Sequence, residues 1–417
     1  MTTSQHNPGE SGTGGTQGLD DVPILPFARP NLLDLPPQYA LLRAARPVAL
    51  VRTPIGDPAW LVTRYADVKA LLADPRLVQS PLDPTTAPRY SASTLLSKES
   101  FDRSDDTVGP TDRMRGRRAI AGAFRARRVQ ALRPHIKEHA HRLLDTMADA
   151  VAPVDLHEAF SVPLSYTVIC ELLGIPATDR EFFQHSFDQA TDMYDRDNAQ
   201  RGHRNLVEYM TKLVVLKRNN RGEDLISDFV AATEGDHALL VDEVVGLAIG
   251  LLFAGHNPLM SRIDLGTVLL LAHREQLDDL RADPALMPSA IEEILRRAAP
   301  RAADELRRYA ARDIEVGGAC ITAGDLVLLS LQAANHDPDV FPEPDRFDIR
   351  RQDGDHVAFG YGMTFCMGAM LARLELEVAL SALFARFPTL EPAVPVASLA
   401  IRFDRLSGGV LSLPVTW

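Results

Sequence analysis

Residues 359–369 read Phe359-Gly360-Tyr361-Gly362-Met363-Thr364-Phe365-Cys366-Met367-Gly368-Ala369. Three glycines surround one cysteine. An apolar-periodic segment, Met367 to Phe387, follows at once, with Met370, Leu371, Leu374, Val378 and Ala382 at helical spacing. The layout predicts a tight glycine turn that delivers one thiol to the start of a helix. Unpaired N–H groups and the helix dipole at such a place favour the thiolate over the thiol. A lone cysteine with no CxxC partner cannot complete a tetrahedral zinc site, but it can hold a haem iron axially. The plainer alternative is a buried structural cysteine.

The glycine pattern decides against that alternative. The segment resembles the haem-binding loop of the cytochrome P-450 family, F-G-x-G-x-x-x-C-x-G, at Phe359, Gly360, Gly362, Cys366 and Gly368. The resemblance implies that Cys366 is the proximal ligand of a haem b iron and that Phe359 packs against its sulfur side. Tyr361 and Thr364 stand where members often carry His.

The rest of the composition bounds the class. A chain of 417 residues with 46% hydrophobic residues can bury one large core, and residues 23–417 read as a single domain. The expected fold is the cytochrome P-450 fold, mainly α with a small β-rich part. A net charge of −12 argues against nucleic acid as a partner. Three cysteines, Cys170, Cys320 and Cys366, lie too far apart to suggest a disulfide framework and suit a reducing cytoplasm. Residues 1–22, rich in Gly, Ser, Thr and Gln, read as a disordered tail, neither signal peptide nor anchor. The longest apolar run, Val244 to Gly255, is too short to span a bilayer. The expectation is a soluble, monomeric enzyme.

In chain order, Pro36 to Ala45 predicts a short helix, Val48 to Arg52 and Trp60 to Thr63 a strand pair, and Tyr65 to Leu72 a helix ended by Asp74-Pro75. Gln79 to Gly109 has no periodicity and reads as a long functional loop. Pro110 to Phe124 reads as a helix. Between Arg113 and Arg128 stand seven arginines in sixteen residues with no acid among them. A solvated basic face is one reading. The resemblance implies another: Arg113 and Arg117 on haem propionates, and the remaining arginines as a docking patch for an acidic ferredoxin. His135 to Ala150 and His157 to Leu173 read as scaffold helices, and Asp179 to Leu216 as a helix pair roofing the site.

Val241 to Ala272 reads as the longest helix, apolar nearly all round and therefore buried. Ala254-Gly255-His256-Asn257-Pro258-Leu259 interrupts it, because a proline removes the bond to the carbonyl of Ala254. Members of the family carry A-G-x-[D/E]-T here, the acid and alcohol that deliver protons during dioxygen activation. Asn257 and Pro258 replace both, and neither can donate an acidic proton. Ala254, Gly255, Asn257 and Pro258 are therefore the catalytic candidates. Glu293 and Arg296 lie one turn apart on a helix over Ala290 to Ala299. The resemblance implies a buried ion pair there, joined by Arg346 of the Pro344-Asp345-Arg346-Phe347 stretch. It also implies Arg308 and His356 as further propionate ligands.

No electron-transfer module is fused to the chain, so the resemblance implies electrons from NAD(P)H through a separate ferredoxin and ferredoxin reductase. The substrate is expected to be a hydrophobic secondary metabolite. The missing acid–alcohol pair tilts the reading toward oxidative coupling of an aromatic or indolic substrate, such as a tyrosine- or tryptophan-derived cyclodipeptide. Oxygen insertion by a hydroxylase or epoxidase, with a water or substrate proton relay, is the alternative. A haem-binding protein without turnover is a third.

Overall fold

The computed structural model describes residues 22–81, 83–93, 120, 122, 124–231, 239–298, 305–406 and 408–417. Its axis is the helix Val241–Ala272, buried along most of its length. A helix apolar on every side is stable only when other elements cover it. Helices Val162–Leu173, Arg196–Asn219 and Ala369–Arg386 do so. Glu243 opens it by accepting the Leu240 N–H at 2.6 Å, with Asp242 beside it in the positively polarised first turn. By length and mean hydropathy this helix could cross a bilayer, but 67% of its most apolar stretch is buried inside the protein.

The interruption expected at Pro258 is absent, and the helix is continuous from Val241 to Ala272. Pro258 has no N–H to give the Ala254 carbonyl, a defect that costs about 3 kcal/mol in an ordinary helix. Buried Phe253, Leu259 and Met260 on either side hold the backbone helical against it. A similar override lengthens the helix expected from His135. It begins at Ala126 and passes through Pro134. Val129, Ile136, Ala140, Leu144 and Met147 form its buried stripe, and Arg133 grips Glu377 with bonds of 2.7 and 2.9 Å.

The strands lie to one side. They are β1 (Val48–Arg52), β2 (Pro58–Val62), β3 (Leu77–Val78), β4 (Val154–Asp155), β5 (Glu305–Ala310), β6 (Ile314–Val316), β7 (Ala319–Ile321), β8 (Leu326–Ser330), β9 (Glu391–Pro392) and β10 (Pro414–Thr416). One sheet has the order β1-β2-β8-β5-β3, with β2 and β8 its parallel pair; β4, β10 and β9 form a second, and β6 and β7 a hairpin. Every residue of β8 is buried, which fits its central place. Its pairing with β5 sets Arg308 opposite Val327 and fixes the side of the cavity on which Arg308 stands.

Helices Arg180–Ala190 and Arg196–Asn219 are the expected pair. Arg405 Nη1 ties the turn between them to the C-terminal loop, 3.2 Å from Asp192 Oδ2. Of the expected N-terminal tail only Val22 is described, and it is buried. The arginine-rich helix expected over Pro110 to Phe124 lies outside the described residues except for Ile120, Gly122 and Phe124.

Candidate active site

The cysteine loop is built by its glycines. Gly360 and Gly362 have φ of +74° and +60°, which side chains with a Cβ rarely adopt. Gly360 N–H reaches the Val357 carbonyl at 2.8 Å, and a single 3-10 turn covers Gly362–Thr364. The chain then doubles back so that the Cys366 N–H donates to the Phe359 carbonyl at 2.8 Å. Gly368 caps the helix Ala369–Arg386. The thiol is thereby held at the start of a helix, on the wall of a cavity.

That cavity has a volume of about 1030 Å³. On the Cys366 side it is walled by Phe359, Gly360, Phe365 and Gly368. Opposite stands the small-residue face of Val241–Ala272, with Ala254, Gly255 and Pro258 at the surface of the space. Asn257 is turned out of it. It is 1% exposed, and its Nδ2 has no hydrogen-bond partner among the described residues. Arg308 is buried and lines the same cavity from β5, its Nη1 donating to the Arg307 carbonyl at 2.7 Å. Glu305 lines it too, accepting the hydroxyls of Tyr39 and, at 3.4 Å, Tyr90. Burial first, and then the Glu305 charge, push both phenols well above the ordinary range.

His356, expected on a propionate, directs Nε2 to Glu292 at 3.1 Å and accepts the Ala358 N–H on Nδ1, and it does not line the cavity. Glu292 also takes a two-bond clamp from Arg373, at 2.6 and 2.7 Å, and the Arg373 guanidinium lies 4.6 Å over the Phe359 ring. Burial works against the Glu292 charge, but the bonds from Arg373 and His356 hold its carboxyl down at about 2. The Glu292 bonds, with the Glu292 charge and the Cys366 thiolate, in turn raise Arg373. Arg373, seven places after Cys366, was a weak sequence signal for this support.

One sequence assignment, the third member of the ion pair, is corrected. Glu293 and Arg296 are joined by bonds of 2.7 and 2.8 Å with both side chains buried, as expected. The third member is Arg351, whose Nε is 3.3 Å from Glu293 Oε2. The Arg346 side chain is 62% exposed and faces Glu343 and Asp348, and only its backbone carbonyl reaches the pair. The turn between the two arginines carries Arg351 inward and leaves Arg346 at the surface.

Arg113 and Arg117 lie outside the described residues, as do Arg115, Arg118 and Asp304. Arg125 and Arg127 are exposed, while Arg128 is bound to Asp228 and to the Glu223 carbonyl. The donor set of the cavity fits a haem: a thiol sulfur on one wall, a buried guanidinium to meet a carboxylate, and a small-residue helix face opposite.

Residues 107–396 match the family model described as Cytochrome P450. The chain is 38% identical over 411 residues to pentalenolactone synthase of Streptomyces exfoliatus, covering 96% of this chain and 100% of that protein. It is 37% identical over 398 residues to mycinamicin IV hydroxylase/epoxidase of Micromonospora griseorubida, covering 94% and 98% respectively. The crystal structure of mycinamicin VIII C21 methyl hydroxylase from Micromonospora griseorubida, bound to mycinamicin VIII, matches with a TM-score of 0.85 at 37% identity, covering 95% of this chain and 100% of that one.

Proposed function

Because this chain belongs to the cytochrome P450 family, we propose that it inserts oxygen regioselectively into a secondary metabolite, by hydroxylation or epoxidation. The observation that carries this reading is the single cavity shared by Cys366, Arg308 and the Ala254–Pro258 face. Relatives named for hydroxylation and epoxidation support oxygen insertion. Oxidative coupling of an indolic substrate, the first expectation from Asn257 and Pro258, is not what those relatives are named for. The absent acid–alcohol pair calls for another proton route rather than another product.

Haem, which Cys366 would hold, would supply dioxygen activation. The chain contributes the rest. The Phe359 carbonyl fixes the Cys366 N–H, and through it the position of the sulfur. Arg308, buried on the cavity wall, would meet a haem carboxylate. Leu251 and Leu259 line the substrate side and exclude water. Pro258 leaves the Ala254 carbonyl without its helical donor, so that oxygen can accept from a water or a substrate hydroxyl. Electrons come from NAD(P)H through a separate ferredoxin and its reductase, docking near exposed Arg125 and Arg127. The protein works as a monomer in the cytoplasm, a compartment that suits three cysteines spread far apart along the chain.

Turnover under labelled dioxygen tests the reading, with a surrogate ferredoxin system and a panel of polyketide, terpene and peptide substrates. The expected product carries one labelled oxygen. A product that has lost hydrogen and gained no label would restore coupling. No substrate-dependent NAD(P)H consumption would leave a haem-binding protein without turnover.

A further inference from the structure

Three polar residues share one face of the otherwise apolar helix Val241–Ala272. They are Asn257, Ser261 and Asp264, at positions i, i+4 and i+7. All three are buried, at 1%, 0% and 0% exposure. Asn257 Nδ2, Ser261 Oγ and Asp264 Oδ1 each lack a hydrogen-bond partner among the described residues. Orphaned buried polar atoms are rare in native structures, and three in a row on one helix face are not explained by packing. The face borders the cavity, since Ala254 lies one turn before Asn257 and lines that space.

The element packed against this stripe is polar as well. His157–Ser161 is wound as a π-helix and leads into Val162–Leu173. Such turns recur at functional places. Two contacts fix the antiparallel register: His157 Nδ1 lies 2.7 Å from Asp264 Oδ2, and Ser165 Oγ 2.8 Å from His256 Nδ1. Ser161, midway between His157 and Ser165, therefore faces the turn of Met260 and Ser261, midway between His256 and Asp264. Its Oγ is buried and also lacks a partner among the described residues. Gly409, with φ of +89°, roofs this place so closely that a Cβ would sit 2.9 Å from Ser261 Oγ. At the outer end His157 is 2% exposed, and its backbone N–H donates at 3.0 Å to Asp155, which is half-buried.

We propose that Asn257, Ser261, Ser161 and Asp264 hold a file of bound water that carries protons from the His157–Asp264 pair to the cavity beside Ala254. The inference rests on the monooxygenase reading. Net insertion takes dioxygen, two electrons from NAD(P)H and two protons, and yields oxygenated product and water. The protons must enter a cavity whose wall lacks the acid–alcohol pair. The file supplies them by exchange along hydrogen bonds, with His157 releasing a proton inward and regaining one from solvent, so the chain is left unchanged. Buried water commonly makes about three hydrogen bonds to otherwise unpaired groups, which these four side chains offer. Burial opposes the charge on His157, but the Asp264 bond and charge prevail and raise it, so the pair is stocked with a proton. His256, pushed down to about 3 by burial and then by the His157 charge, is neutral and stands aside. These are positioning residues, not groups that touch the substrate.

Two measurements on the haem-loaded protein test this. A high-resolution crystal structure should show ordered water within hydrogen-bond distance of Asn257 Nδ2, Ser261 Oγ and Asp264 Oδ1. Direct protein–protein bonds at all three atoms would overturn the file. In turnover, Ser261→Ala and Asp264→Asn should each raise several-fold the hydrogen peroxide released per NAD(P)H consumed, and increase the solvent isotope effect. Substrate affinity by spectral titration should not move. An unchanged peroxide fraction in both variants would overturn proton carriage, and if Asp264→Asn does not fold, Ser261→Ala alone decides. Oxygenated product from a dry stripe refutes only the file. No oxygenated product with water in place refutes the monooxygenase reading and the carriage with it.

Discussion

Glu292 shows how much of the site depends on charges outside the cavity. Its carboxyl sits at about 2 instead of the ordinary 4.5, because Arg373 and His356 donate to it. A carboxyl depressed in the folded state contributes stability that is present above its unfolded value and is lost as pH falls. Thermal stability should therefore fall as pH drops from about 4.5 to about 2, and Glu292→Gln should flatten the profile in that window. Equal slopes for the two proteins would show that the clamp contributes nothing to acid stability. The arginine pair gives a second contrast. Arg351→Ala removes three carbonyl bonds and a partner of buried Glu293, and should cost roughly 3 kcal/mol in denaturant unfolding. Arg346→Ala, at the surface, should stay within about 0.5 kcal/mol. The reverse order would restore the sequence assignment. Cys366 was legible because glycine spacing fixes a backbone path on its own. Arg351 was not, because side-chain direction in an irregular turn depends on neighbours far away in sequence.

At the scale of elements, periodicity placed the long helix at Val241–Ala272 and the strand pair at β1 and β2 within a residue or two, since both patterns report burial directly. Pro258 suggested an interruption that is absent, and Pro134 lies inside a helix that starts before the expected His135; in each case the buried stripe of the helix outweighs the lost bond. The polar stripe of Asn257, Ser261 and Asp264 was present in the sequence, but its meaning appears only against the facing π-helical turn. If Pro258 is a local defect kept for the cavity, Pro258→Ala should stabilise the protein by about 1–3 kcal/mol. The denaturation midpoint of the haem-loaded protein would show this, and a fall in stability would mean that the proline fits its site.

For the whole molecule, a net charge of −12 leaves the exposed Arg125 and Arg127 as a local exception, next in sequence to Phe124 on the Cys366 side. If they dock an acidic ferredoxin, haem reduction should slow steeply with salt, because exposed charges are screened beyond roughly 8–10 Å at ordinary ionic strength. Charge reversal at Arg125 or Arg127 should slow reduction without changing substrate affinity, whereas rates indifferent to both would make the patch a solvated face. Docking, the cavity and the proton route all presuppose one bond, that between Cys366 and a haem iron. The most direct test is the spectrum of the reduced protein under carbon monoxide. The wild type should show the long-wavelength Soret band of a thiolate haem, and Cys366→His should lose it. A histidine-type band in the wild type, or the thiolate band surviving in Cys366→His, would contradict the assignment.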